Sequence, residues 1–341
     1  MSIAISIFAI GLLIALHEAG HFFAARRVGM KVIRYSIGLL KAIVSWTSKK
    51  TGITYQIGIL PLGGFVQIKG MNPFEDGAFE DADSYQTKSV WRRMLVVVGG
   101  PVVNLLVAWA VLFGLYVVGN PEYVNKPGVG DVVSGGPADK AGLETGDYLI
   151  SLNGEKLETW KDLVKGLQSH PDERVALEVK RGDNKLAVEV TPMNMDGIGK
   201  IGIGQPRERI SLPVHIAALA AAQKCAQVIG DTISGIAMSL TGSGGDLQTV
   251  GPVGIVKMAA TTLNTGFREF LALVAYLSVM LFMFNLFPLP ALDGGRAVFL
   301  FYEAVTRKQI SPKVDAIVNT VGFVLLIGLI GAMTIKELFV G

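Results

Sequence analysis

His17-Glu18-Ala19-Gly20-His21 lies inside an otherwise apolar stretch that runs from Ile3 to Ala25. A helix over that stretch puts positions four apart on one face, so both imidazoles can reach a single metal ion. Glu18 then sits one residue round, beside whatever the metal holds. An acid at the centre of a membrane-length helix costs about 2.5 to 3.5 kcal/mol on insertion scales, so a working role for these side chains is expected. The alternative is a chance His-Glu-x-x-His in a soluble core helix, and the length of the apolar run stands against it. Motif and setting together imply zinc-dependent hydrolysis within a lipid bilayer.

Composition agrees with that setting. The chain has 341 residues, of which 17% are charged, and a mean hydropathy of +0.47, too apolar for an ordinary soluble protein of this length. The net charge is +3, without a long basic run interleaved with aromatics, so nucleic acid is not expected as a partner. The single cysteine, Cys225, excludes an intramolecular disulfide and a thiolate cluster. Zinc must therefore use histidine and carboxylate. No basic segment precedes the apolar N-terminus, and Arg26 and Arg27 follow it, which fits a retained first span rather than a cleaved signal peptide.

Four segments are long and apolar enough to cross a bilayer: Ile3 to Ala25, Met94 to Val118, Phe270 to Leu289 and Val314 to Ile335. The loop between the first two carries a dense set of Lys and Arg from Arg26 to Arg93, so the positive-inside rule makes it cytoplasmic. Arg296, Arg307, Lys308 and Lys313 agree for the connection between the third and fourth spans. The segment from about 119 to 266 is then exported. Inside it, Gly136-Pro137-Ala138, Ala141-Gly142-Leu143, Gly146-Asp147 and Asn153-Gly154 set short strands between glycine turns. Later strands are expected at Arg174 to Lys180 and Lys185 to Thr191, with a helix from Trp160 to Gln168. This order resembles a bacterial PDZ domain, in one copy. Leu212 to Leu240 reads as an interfacial helix, with a fifth span as the alternative. Gly242 to Gly245 would break it, and Gly251-Pro252-Val253-Gly254 opens another short helix. The domain division expected is 1–118 for the first transmembrane pair with its hairpin loop, 119–206 for the PDZ domain, 207–266 for amphipathic helices, and 267–341 for the second transmembrane pair.

Residues Thr54 to Ile59 and Pro61 to Ile68 read as two strands of a cytoplasmic-side β-hairpin, separated by a proline. An extended peptide can add to the edge of such a sheet, and a substrate helix must unwind before its peptide bonds can be attacked.

Two histidines do not complete a catalytic zinc, which usually takes three protein ligands and water. Asn285-Leu286-Phe287-Pro288-Leu289-Pro290-Ala291-Leu292-Asp293-Gly294-Gly295 offers the third. The prolines end the third span, and the glycines let the backbone turn so that Asp293 faces inward. By itself Asp293 could merely cap a helix; joined to the first motif it reads as a ligand.

With both motifs in hand, the chain resembles the site-2 protease family, in its regulator-of-sigma-E protease type, where HExxH lies in the first span and NxxPxPxxDGG in the third. Gly99-Gly100-Pro101 with Asn104 resembles the family's second-span motif, and Pro61-Leu62-Gly63-Gly64-Phe65-Val66 its hairpin edge. The resemblance covers essentially the whole chain. It implies a polytopic α-helical membrane protein of about four transmembrane helices, with a membrane-associated β-hairpin and an inserted exported PDZ domain, in the bacterial inner membrane. It implies Zn2+ held by His17, His21 and Asp293, with Glu18 as the proton-transferring base. Gly63, Gly64, Phe65 and Asn285 would bind substrate, although Asn285 could instead satisfy backbone freed by Pro288. Asn104 could simply join the second span to a neighbour. The substrates implied are single-span membrane proteins, such as anti-sigma factors or signal-peptide remnants, pre-cut by another protease. Two departures stand out. Many members carry two PDZ domains, and the family hairpin often reads Gly-Phe-Gly-Pro where this chain has Gly38-Leu39-Leu40-Lys41. A zinc or ion transporter is the rival reading, disfavoured because no internal repeat is visible. An inactive PDZ scaffold is a third, disfavoured because Glu18 and all the candidate ligands are present.

Overall fold

The computed structural model describes residues 1–195, 197–241 and 251–339. The expected glycine break at 242–245 lies outside the described residues. The chain divides into two units, Met1–Leu115 with Val214–Gly341, and Tyr116–Pro213.

The first unit begins with α1 (Ser2–Arg27), whose last turn carries Arg26 and Arg27, where cations complement the helix dipole. Then follow β1 (Val32–Thr47), β2 (Thr54–Ile68) and α2 (Val90–Val118). Both strands bend back on themselves. Arg34–Ile37 pairs on one side with Thr54–Ile57 and on the other with Gly64–Gln67, while Ala42–Thr47 pairs with Thr54–Gly58. The result is four segments in the order 42–47, 54–58, 34–37, 64–68, in which the central pair, 54–57 with 34–37, runs parallel and the two outer pairs run antiparallel. This corrects the sequence reading: the two expected strands do not pair with each other, because a strand from upstream lies between them. The tight turn at Gly38–Leu40 forms despite the missing second glycine. Gly38 has φ +85° and Leu40 φ +66°, so a leucine takes a left-handed conformation that glycine adopts more readily.

The second unit contains β3 (Asn120–Tyr123), α3 (Pro137–Lys140), β4 (Tyr148–Leu152), β5 (Glu155–Lys156), α4 (Trp160–Gln168), β6 (Val175–Arg181), β7 (Asn184–Val190), β8 (Met193–Met195), β9 (Ile198–Lys200) and β10 (Arg207–Ile210). Its main sheet runs β5-β4-β6-β7. Alternate residues of β6, Val175, Leu177 and Val179, are buried with Leu149 of β4 and Leu163 of α4, as expected of a sheet covered on one face. Thr159 and Asp162 form a reciprocal capping box on α4. Burial alone would push the Asp147 carboxyl up, but two hydrogen bonds from the Arg181 guanidinium hold it below the usual carboxylate range. β10 pairs with β3, so residues 207–210 belong to this unit. That corrects the expected boundary at 206, which no local signal could have shown, since the strand partners lie 84 to 90 residues upstream.

The chain then returns to the first unit through α5 (Val214–Leu240), α6 (Pro252–Thr265), α7 (Phe267–Leu286), α8 (Asp293–Thr306) and α9 (Pro312–Phe339). Among the described residues, four helices are long and apolar enough to cross a membrane: α1, α2, α7 and α9. α5 is not one of them. α6 starts at the Gly251-Pro252 motif without a side-chain cap of its own. Glu337 of α9 accepts from the amides of Gly251 and Val253, at 2.6 and 3.1 Å, placing a carboxylate where a helix start favours one.

Candidate metal centre

The helix of α1 projects His17 and His21 to the same side, with their Nε2 atoms 3.2 Å apart. Asp293 Oδ2 lies 3.3 Å from each of them. A tetrahedron with metal–ligand bonds of about 2.0 Å has edges of about 3.3 Å, so this near-equilateral triangle has the size of one face of a zinc site. Asp293 Oδ2 is buried and makes no hydrogen bond, a costly state for a carboxylate oxygen unless a cation completes it. The donor set, two imidazoles and a carboxylate, is one that zinc accepts. The residues therefore fit the ion.

Close backbone approach makes room for this arrangement. A Cβ on Gly20 would lie 2.2 Å from the Gly99 carbonyl oxygen, and one on Gly100 would lie 2.3 Å from His21 Nε2. Glycines on both helices therefore let α2 lie against the imidazoles of α1. Pro101 sits inside α2 and deprives the Val97 carbonyl of its helical donor. In the same turn, the Val96 carbonyl accepts from His21 Nδ1 at 2.7 Å. That bond fixes the His21 tautomer with Nε2 free for metal.

His17 is held from the other side. The amide of Asn104, fully buried on α2, lies 3.0 Å from His17 Nδ1 through its nitrogen, while its Oδ1 has no partner. A metal-bound Nε2 requires the proton on Nδ1, and two donors then face each other. Turning the amide over, a choice that hydrogen-bond partners decide, makes Oδ1 the acceptor of the His17 Nδ1 proton. Ser278 of α7 donates to the Asn104 carbonyl at 2.7 Å, tying α7 to the same point.

Asp293 opens α8, a 14-residue helix that the run of prolines and glycines concealed in the sequence. It stands in the first turn of that helix, but Leu292 is the N-cap and no side chain caps the helix, so the carboxylate is left to face the histidines. Cβ atoms on Gly294 and Gly295 would fall 2.1 Å from the Phe287 carbonyl oxygen and 2.3 Å from that of Leu289, which is why this sharp entry requires glycine.

Glu18 faces the sheet. A Cβ on Gly64 would lie 2.9 Å from Glu18 Cγ. Tyr35 donates to the Ala15 carbonyl at 2.7 Å. Its burial and the nearby Glu18 charge push its phenol up to about 12, so it remains a donor at neutral pH. The edge segment 64–68 of β2 therefore runs beside the base. Gly63, at φ +149°, is packed by the Leu39 side chain. Phe65 and Val66 line a cavity of about 580 Å3 with Arg296 of α8 and Asn319 and Thr320 of α9. Asn285 is not drawn into this cluster. Its amide donates to the Leu281 carbonyl at 2.9 Å, rather than to the Phe284 carbonyl that Pro288 leaves free, which accepts from Phe287 at 3.2 Å.

The model of Peptidase family M50 matches residues 5–329 of this chain. A zinc metalloprotease candidate of Clostridium acetobutylicum is 32% identical over 98% of this chain and 97% of its own length. The regulator of sigma-W protease RasP of Bacillus subtilis is 28% identical over 96% of each. A solved PDZ domain of Listeria monocytogenes overlays 25% of this chain and 88% of its own, with 20% identity and a TM-score of 0.22.

Proposed function

The chain belongs to peptidase family M50 and is a zinc metalloendopeptidase, and on that premise we propose that it cleaves peptide bonds inside transmembrane segments of single-span membrane proteins. The observation that carries this reading is the His17, His21 and Asp293 triangle built on the first of four membrane-length helices. These three are assigned as the zinc ligands and Glu18 as the base. When bound, zinc supplies Lewis acidity toward the scissile carbonyl and makes water acidic enough to lose a proton near neutrality. Glu18 takes the proton of the attacking water and returns it to the leaving amine. Val96 and Asn104 hold the two Nδ1 protons, which keeps both Nε2 lone pairs directed at the ion.

A substrate helix has its own peptide groups paired and must unwind before attack. The edge segment Gly64–Ile68 offers the unwound stretch an extra strand partner beside Glu18, with Gly63 and Phe65 shaping the approach. Asn285 can join substrate binding through its Oδ1 and second N–H while it keeps its bond to the Leu281 carbonyl. The name of the Bacillus relative, regulator of sigma-W protease, supports membrane-bound regulators of sigma factors as the substrate class, entering after a first cut by another protease. The basic residues from Arg26 to Arg93 support a cytoplasmic position for that loop at a bacterial inner membrane, with the second unit exported as a PDZ-type module.

Glu18→Gln removes the base without touching a ligand. Purified variant protein is expected to keep its zinc and lose cleavage of a single-span substrate; normal turnover would sink the mechanism. For orientation, single cysteines introduced in a Cys225-free background should label from outside at Asn184 and not at Ser48, and the reverse pattern would invert the topology.

A further inference from the structure

Two residues before Asp293, Ala291 has φ +70°, a left-handed conformation that residues other than glycine adopt only when the surroundings enforce it. α9 supplies that enforcement at two points. The Ala291 amide donates to Asn319 Oδ1 at 3.2 Å. One turn along the same helix, Gly322 lies under Pro290, where a Cβ would fall 2.3 Å from the proline Cβ. The Asn319 amide cannot turn over without loss, because its Nδ2 donates to the Asp315 backbone carbonyl at 2.9 Å and to the Asp315 carboxylate at 2.8 Å. The acceptor is therefore locked toward Ala291.

We propose that Asn319 is a positioning residue for the metal centre: by holding Ala291 left-handed it sets the turn from which Asp293 presents Oδ2 to the two histidines. The inference rests on Asp293 being a zinc ligand. An alanine at 291 makes the turn dependent on the clamp, since a glycine would take the same φ without help. The last span, which contributes no ligand, thus acts on the metal through three residues of backbone.

The test uses full-length protein purified as wild type, Asn319→Ala, Ala291→Gly and the double variant, with zinc affinity read by competition against a chelator. Asn319→Ala is expected to bind zinc about 10- to 100-fold more weakly, the range for loss of a supporting contact at a metal site. Ala291→Gly alone should bind as wild type. The double variant should recover most of the loss, because glycine restores the turn that the clamp enforced; a role confined to packing α9 would show no such rescue. Wild-type affinity in Asn319→Ala, or a double variant no tighter than the single, overturns the proposal. If Asn319→Ala does not fold, a folded, zinc-binding double variant supports the proposal and an unfolded one overturns it. Wild type that binds no zinc would instead defeat the ligand assignment itself, and this inference with it.

Discussion

Asn104 shows how one side chain decides the chemistry of another. His17 can offer Nε2 to a metal only if Nδ1 keeps its proton, and the amide of Asn104, fully buried, lies 3.0 Å from it. Asn104→Leu should preserve volume, remove the acceptor and weaken zinc binding about 10- to 100-fold, whereas Asn104→Asp should retain it, because a carboxylate is a stronger acceptor for a ligand histidine. Chelator competition on the two variants decides this, and equal zinc affinity in Asn104→Leu and wild type would remove the role. Sequence spacing reveals residues four apart on a helix, so His17, Glu18 and His21 were legible at once. Asn104 was visible only as part of a second-span motif, without its partner, and Asn319 was not visible at all. Their partners lie 87 and 28 residues away, and a polar residue in a span reads equally well as a contact between helices.

At the scale of elements, the pairing of α1 with α2 depends on an absent side chain. A Cβ on Gly20 would meet the Gly99 carbonyl at 2.2 Å, and backbone cannot swing aside as a flexible side chain can. Gly20→Ala should therefore separate the helices, destabilise the protein by about 1 to 3 kcal/mol as overpacked sites do, and lower zinc occupancy as well. Gly114, in the same α2, has nothing within 4 Å of its would-be Cβ. Gly114→Ala should be neutral or slightly stabilising, since alanine is the better helix former. Melting temperatures of both variants test the contrast; similar values would show that close approach does not limit stability here. The four spans were legible because about twenty apolar residues have few other uses. The sheet was half legible. Thr54–Ile59 and Pro61–Ile68 have strand composition, but pairing order is long-range information, and nothing local places 34–37 between them. α8 was hidden because prolines and glycines at its entry read as a turn, although the turn is what aims Asp293.

For the whole molecule, the division into two units separates chemistry from whatever the second unit does. His17, Glu18, His21 and Asp293 all belong to the first unit, while Tyr116–Pro213 forms its own core around Leu149, Leu163 and Leu177. A cavity of about 390 Å3 in the second unit is lined by Trp160, Leu163 and Leu167 of α4 with Met193, Met195 and Ile201. An apolar trough between a helix and a strand suits capture of an extended chain end by strand addition, so a role in selecting substrates follows more naturally than a role in hydrolysis. The strand pairing also dictates how to remove the unit. Asn120 pairs with Ile210, and such partners sit about 5 Å apart, so a short Gly/Ser bridge can replace residues 120–210 without straining the junction of α2 and α5. A cut at Gly128 to Pro192 would instead strand Ile201, which is buried in the core, and leave β10 without a complete unit to support it. The clean excision should keep zinc and still cleave a short single-span substrate, while admitting substrates with bulky exported domains that the intact chain rejects. Zinc content, and cleavage of a short and a bulky substrate side by side, measure all three outcomes. If the excised protein folds and binds zinc but cleaves neither substrate, the second unit takes part in catalysis and selection is the wrong account of it.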